Sequence, residues 1–68
     1  MLNDLYNILG LQPNANGKDI KAAFRTLAKA HHPDRNPNDP EAERRFKAIA
    51  EAYDVLGNAR RRTQYDNW

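Results

Sequence analysis

Two runs of apolar residues recur at intervals of three and four, and a loop crowded with prolines separates them. Ile20, Phe24, Leu27 and His31 follow one another at spacings of 4, 3 and 4, and Ala42, Phe46, Ile49, Tyr53 and Leu56 at 4, 3, 4 and 3. That period lines one side of an α-helix. Pro33 has no N–H and pushes the residue before it out of the α region, so the first of these helices must end at His31. Strand-type alternation is absent. The sequence therefore predicts an all-α fold: an antiparallel hairpin of two long helices with a short helix on either flank.

Capping residues mark the boundaries. Asn3 or Asp4 caps a short first helix carrying Leu5, Ile8 and Leu9, with Gly10 as its stop. Residues 11–15 form a turn. Asn16 offers its side-chain oxygen to a second helix over about 17–31, with Asp19 three residues on at the positive helix end. Asp39 caps the third helix, Pro40 takes its preferred first position, and Gly57 closes it. Asn58 caps a fourth, running through Arg60, Arg61 and Arg62 toward Tyr65. Phe24, Leu27, Phe46, Ile49 and Tyr53 are the expected seam, with Leu5, Ile8 and Leu9 over one side. Tyr6 is open between core and surface. On helix three, Glu41–Arg45, Glu43–Lys47 and Lys47–Glu51 stand four apart and support the solvated face.

Sixty-eight residues make one domain, spanning 1–68. A core of that size supplies about 3–5 kcal/mol of net stability. With no cysteine, disulfides and thiolate metal sites are excluded. No apolar run has the length of a membrane span, and no secretory leader is recognisable. A soluble, intracellular and most simply cytoplasmic chain is expected, monomeric by default.

Charge is segregated. Eleven Lys and Arg against nine Asp and Glu leave only +2, yet four cations and one anion lie between Lys18 and Lys29. Stepping about 100° per residue puts Lys18, Lys21, Arg25 and Lys29 within an arc of roughly 80°, opposite the apolar side of helix two. Segregation at low net charge suits steering toward one partner surface. Arg60, Arg61 and Arg62 suit a solvated patch or an ion-pair source for helix three.

His32-Pro33-Asp34 stands where helix two ends. Turn chemistry alone accounts for a histidine C-cap and an Asx turn, and a braced imidazole–carboxylate couple on a loop equally suits a contact point. Projecting the helical spiral onto His32 places it beside the cationic stripe, although Pro33 breaks the spiral there. His31 lies on the apolar side, at the core edge. Neighbouring histidines on a helix end point apart and no fourth ligand is in sight, so no metal and no cofactor is expected. A helical hairpin with one loop couple makes no enclosed pocket, which argues against an enzyme.

These segments resemble, in register, a J domain of the DnaJ-type co-chaperones. The resemblance is carried by Leu5-Tyr6-Asn7-Ile8-Leu9-Gly10, by Ile20 to Ala28, by His32-Pro33-Asp34 with Arg35-Asn36, by Phe46 to Leu56, and by Arg61-Arg62 before Tyr65-Asp66. It covers about residues 5–66. The resemblance implies a module that binds a DnaK-type heat shock protein 70 chaperone and stimulates its ATP hydrolysis, the nucleotide and catalytic residues belonging to the partner. It assigns docking to Lys21, Arg25 and Lys29, and the trigger to His32, Pro33 and Asp34. This chain departs from the usual pattern at Ala22 and Thr26, where many members carry cations, and at His31, where an aromatic is usual. Family members commonly continue into linkers, substrate-binding domains or membrane anchors, so the chain is readable as one domain of a longer co-chaperone. Two alternatives remain: a J-like scaffold that binds without stimulating, and a small basic nucleic-acid-binding helical domain, suggested by an isoelectric point of about 9.2.

Overall fold

Four helices follow in order: α1 (Asp4–Ile8), α2 (Gly17–His31), α3 (Pro40–Leu56) and α4 (Ala59–Asp66). The computed structural model describes residues 4–67; Asn3, one of the two candidate caps, and Trp68 lie outside the described residues. Each boundary has a local cause. The Asn16 carboxamide oxygen accepts from the Asp19 N–H at 2.8 Å, Asp39 accepts from Glu41 and Ala42 at 3.1 and 3.2 Å, and Asn58 accepts from Arg61 at 3.0 Å. Each bond satisfies a donor that a helix N-terminus leaves unpaired.

The two helix-closing glycines work differently. Gly10 takes φ +70°, so the Leu11 N–H reaches the Tyr6 carbonyl at 2.9 Å and the Gly10 N–H reaches Asn7 at 3.0 Å. That is a Schellman stop. Gly57 has an ordinary φ of −81°. There a Cβ would stand 2.7 Å from the Tyr53 carbonyl oxygen and 2.8 Å from its ring, so close approach excludes any larger residue.

α2 and α3 form the hairpin, and α3 packs against each of the other helices. Phe24 and Tyr53 stack face to face across the seam, ring centroids 4.1 Å apart at 11°. The buried centre is Tyr6, Leu9, Ile20, Ile49, Ala52 and Leu56. It draws on the start of α2 and the end of α3, so α1 and α4 cover the end of the hairpin remote from the α2–α3 loop. Tyr6 is fully buried and Ile8 is exposed, the reverse of a helix whose apolar side is Leu5, Ile8 and Leu9. Five residues make barely more than one turn, and the stop at Gly10 brings Leu9 in beside Tyr6 while Ile8 faces out.

Of the arginine triplet, Arg61 pairs with Asp54 of α3, as an ion-pair source would. Arg62 turns inward. Its guanidinium donates to the Tyr6 hydroxyl at 3.0 Å and to the Pro13 and Ala15 carbonyls, and it lies 3.7 Å from Asp66. It thereby ties α4 to α1 and to the turn before α2. No helix of the described residues is long and apolar enough to cross a membrane.

Candidate functional site

The loop over residues 32–39 projects from the open end of the hairpin, and backbone bonds fix its first turn. α2 ends with carbonyls that no intrahelical N–H can reach. His32 leaves the helix at φ −61°, ψ 138°, the extended geometry that a following proline demands. Its carbonyl then accepts from the Arg35 N–H at 3.0 Å and the Asn36 N–H at 3.1 Å. The Asn36 carboxamide adds bonds to the carbonyls of Ala30 and His32, both at 3.0 Å. Asn36 therefore bolts the loop to the helix it follows. Farther on, Asn38 takes φ +61°, a left-handed conformation that asparagine tolerates, and turns the chain toward the Asp39 cap.

The His32 ring packs edge-on against Phe46 of α3, centroids 5.2 Å apart at 75°. The broken spiral thus carries the ring toward α3 and off the cationic side of α2. Phe46 in turn stands at the loop end of the seam, half-buried, outside the central cluster.

Two contacts compete for the His32 Nδ1 atom. It accepts the Asp34 N–H at 3.1 Å, and the Asp34 carboxylate lies 3.8 Å away. The shorter contact has hydrogen-bond length and the longer does not. Nδ1 therefore serves as a hydrogen-bond acceptor for the Asp34 main chain. The Asp34 side chain is left 93% exposed, against 46% for His32. Pro33 is exposed. The outcome is a carboxylate with its main chain tethered and its oxygens turned to solvent, ready to accept a charge-assisted pair at little desolvation cost.

Lys21, Arg25 and Lys29 all lie exposed along α2. Arg25 and Lys29 share a groove with Arg35 of the loop, which joins the stripe to the turn; Lys21, eight residues before Lys29, stands about 12 Å farther along the axis. Among the described residues none of these four cations is paired with a carboxylate. On α3 the opposite holds: Arg44 and Arg45 both pair with Glu41, and Lys47 pairs back to Glu43 at 3.8 Å. The unneutralised positive charge is therefore concentrated on α2. The Arg60–Arg62 cluster is not a comparable patch, because Arg61 is paired and Arg62 is drawn inward.

Phe46 belongs to this site without having been expected there, and Arg35 and Asn36, part of the loop motif in the sequence, had no role assigned to them. For Asn36 a signal was available: unsatisfied carbonyls at the end of α2 call for a nearby donor.

Similarity to known proteins converges on one family. The DnaJ domain model matches residues 4–66. The chaperone protein DnaJ of Chlamydia trachomatis serovar D is 54% identical over 65 residues, covering 96% of this chain and 17% of that protein. That of Nitratidesulfovibrio vulgaris (strain DP4) shows the same identity and coverage. That of Rhizobium meliloti is 52% identical over 68 residues, covering all of this chain and 18% of that protein. This chain thus spans less than a fifth of the curated relatives it matches. The crystal structure of the J-Trx1 fragment of ERdj5 superposes with a TM-score of 0.88 at 41% identity, covering 94% of this chain and 31% of that one.

Proposed function

Because the chain belongs to the DnaJ domain family, whose J domains are non-catalytic co-chaperone modules, we propose that it binds a DnaK-type heat shock protein 70 chaperone and accelerates that partner's ATP hydrolysis. Lys21, Arg25 and Lys29 steer and dock; His32, Pro33 and Asp34 act as the trigger. The single domain over residues 1–68 is the working unit.

The observation that carries this reading is the state of Asp34: a carboxylate 93% exposed on a loop whose backbone is held by His32 and Asn36. A loop bound in this way loses little conformational freedom on docking, and its charge meets a partner cation without first breaking an internal pair. The unpaired cations of α2 accelerate encounter with an acidic surface, an effect that salt weakens. Stimulation then requires tighter binding to the partner's hydrolysis-competent state than to its resting state.

Single-turnover ATP hydrolysis by a DnaK-type chaperone, with and without this chain, tests the assignment. Wild type accelerates the rate; His32→Gln abolishes the acceleration with an unchanged circular dichroism spectrum. Binding without acceleration by the wild type would instead identify a scaffold, and acceleration surviving His32→Gln would remove the trigger role.

A further inference from the structure

The cationic side of α2 borders a groove for which the trigger loop has no use. α1 packs on α3 and makes no close backbone approach to α2. Between α1 and α2 lies an open depression of about 440 Å3 lined by Ile8, Leu9, Ala22, Ala23, Thr26 and Leu27. Ile8, 37% exposed, is the one exposed large hydrophobic among the described residues. Thr26 also lines the groove of about 350 Å3 formed with Arg25, Lys29 and Arg35. The apolar and cationic grooves therefore meet at one side chain, and no carboxylate lines either.

We propose that the two grooves together form a docking surface for a short polypeptide segment in which a bulky apolar side chain is followed by carboxylates. The apolar side chain seats beside Ile8 and Leu27, and the carboxylates meet Arg25, Lys29 and Arg35. Charge complementarity selects this occupant. Three unneutralised cations repel a basic segment and reward an acidic one. A nucleic-acid strand could place phosphates on those cations, but the adjoining groove is aliphatic and offers its bases no stacking platform. The short side chains of Ala22, in the apolar groove, and Thr26, where the two grooves meet, leave this surface open. The inference goes beyond the trigger reading: recognition of such a segment needs no act of His32, Pro33 or Asp34.

Fluorescence anisotropy with three labelled synthetic peptides tests it: one alternating leucines with glutamates, one with the leucines changed to serine, one with the glutamates changed to glutamine. The first binds saturably, and the other two bind at least tenfold more weakly. Ile8→Ser weakens the first peptide at least fivefold, whereas Arg60→Gln, which removes a charge elsewhere, leaves it unchanged. Methyl resonances of Ile8, Ala23 and Leu27 shift on titration. Equal binding of the serine peptide, indifference to Ile8→Ser, the absence of saturable binding at millimolar peptide, or shifts confined to other faces would each overturn the proposal. None of these readouts uses a chaperone, so their failure is separable from failure of the ATPase test.

Discussion

Phe46 braces His32 from across the hairpin: the rings meet edge to face with centroids 5.2 Å apart, so a residue of α3 positions a side chain belonging to the end of α2. Truncation to Phe46→Ala removes a half-buried ring and is expected to cost about 1–3 kcal/mol, less than the penalty at a fully buried site. Phe46→Leu keeps most of the volume and forfeits only the ring-to-ring preference, about 0.5–1.5 kcal/mol. Urea unfolding measures both. At saturating concentration of the folded domain, the maximal ATPase stimulation falls with Phe46→Ala and partly recovers with Phe46→Leu. An undiminished maximum in Phe46→Ala would show that the trigger does not depend on this brace.

Asn36 holds the other side of the same turn. Its carboxamide donates to the carbonyls of Ala30 and His32, and a carboxylate cannot donate to either. Asn36→Asp therefore loses both bonds and sets negative charge against two carbonyl oxygens at a helix C-terminus, where negative charge is unfavourable. A stability loss of about 1–2 kcal/mol is expected. Faster amide hydrogen exchange at Arg35 and Asn36 should accompany it, because both N–H groups donate to the His32 carbonyl. Exchange rates unchanged from wild type would assign the rigidity of the loop to the prolines instead.

How much of this was legible in the sequence follows the range of each interaction. The caps at Asn16, Asp39 and Asn58 and the limits of α2 are set within four residues, and the spacing of apolar and capping residues displays them directly. The Phe24–Tyr53 stack follows from the same periodicity once two helices are paired. The role of Arg62 does not: its partners Tyr6, Pro13 and Ala15 lie far back in the chain, and a run of three arginines looks alike whether a member faces water or the interior. Tyr6 was equally unreadable, because a five-residue helix is too short for periodicity to select its buried side. Asn36 and Phe46 escaped for a third reason. A loop's geometry depends on carbonyl satisfaction and on the neighbour across the hairpin, and neither leaves a repeat in the sequence.

Pairing within α3, and its absence on α2, make a direct electrostatic prediction. Among the described residues Arg25 meets no carboxylate, while Arg44 faces Glu41 at 3.5 Å. Arg25→Gln should raise the domain concentration giving half-maximal stimulation several-fold at low salt and leave the maximum unchanged, since it removes steering and docking but not the trigger. The difference from wild type should shrink as ionic strength passes about 0.15 M, where the screening length is about 8 Å. Arg44→Gln, removing an exposed and already compensated charge, should change neither quantity. Identical effects of the two substitutions would mean that net charge, rather than the α2 stripe, governs docking.

Tyr6 gives the fold an alkaline limit. Burial raises the phenol pKa above its ordinary 10.0, the hydrogen bond to Asp66 acts in the same direction, and the bond from Arg62 opposes them. The folded chain consequently holds the phenolic proton more tightly than the unfolded chain does. The stability from this difference is complete below pH 10, declines as pH rises through the higher folded pKa, and is gone above it. Tyr6→Phe keeps the buried ring and removes the hydroxyl. Because Arg62 and Asp66 remain 3.7 Å apart, the substitution should cost only about 1 kcal/mol at neutral pH. The informative quantity is the difference between the two proteins. Urea midpoints followed by circular dichroism from pH 7 to 11 should converge above pH 10, as wild type loses what Tyr6→Phe never had. Parallel curves throughout would mean that ionisation of another group sets the alkaline limit, and that the Tyr6–Asp66 bond contributes nothing to proton linkage.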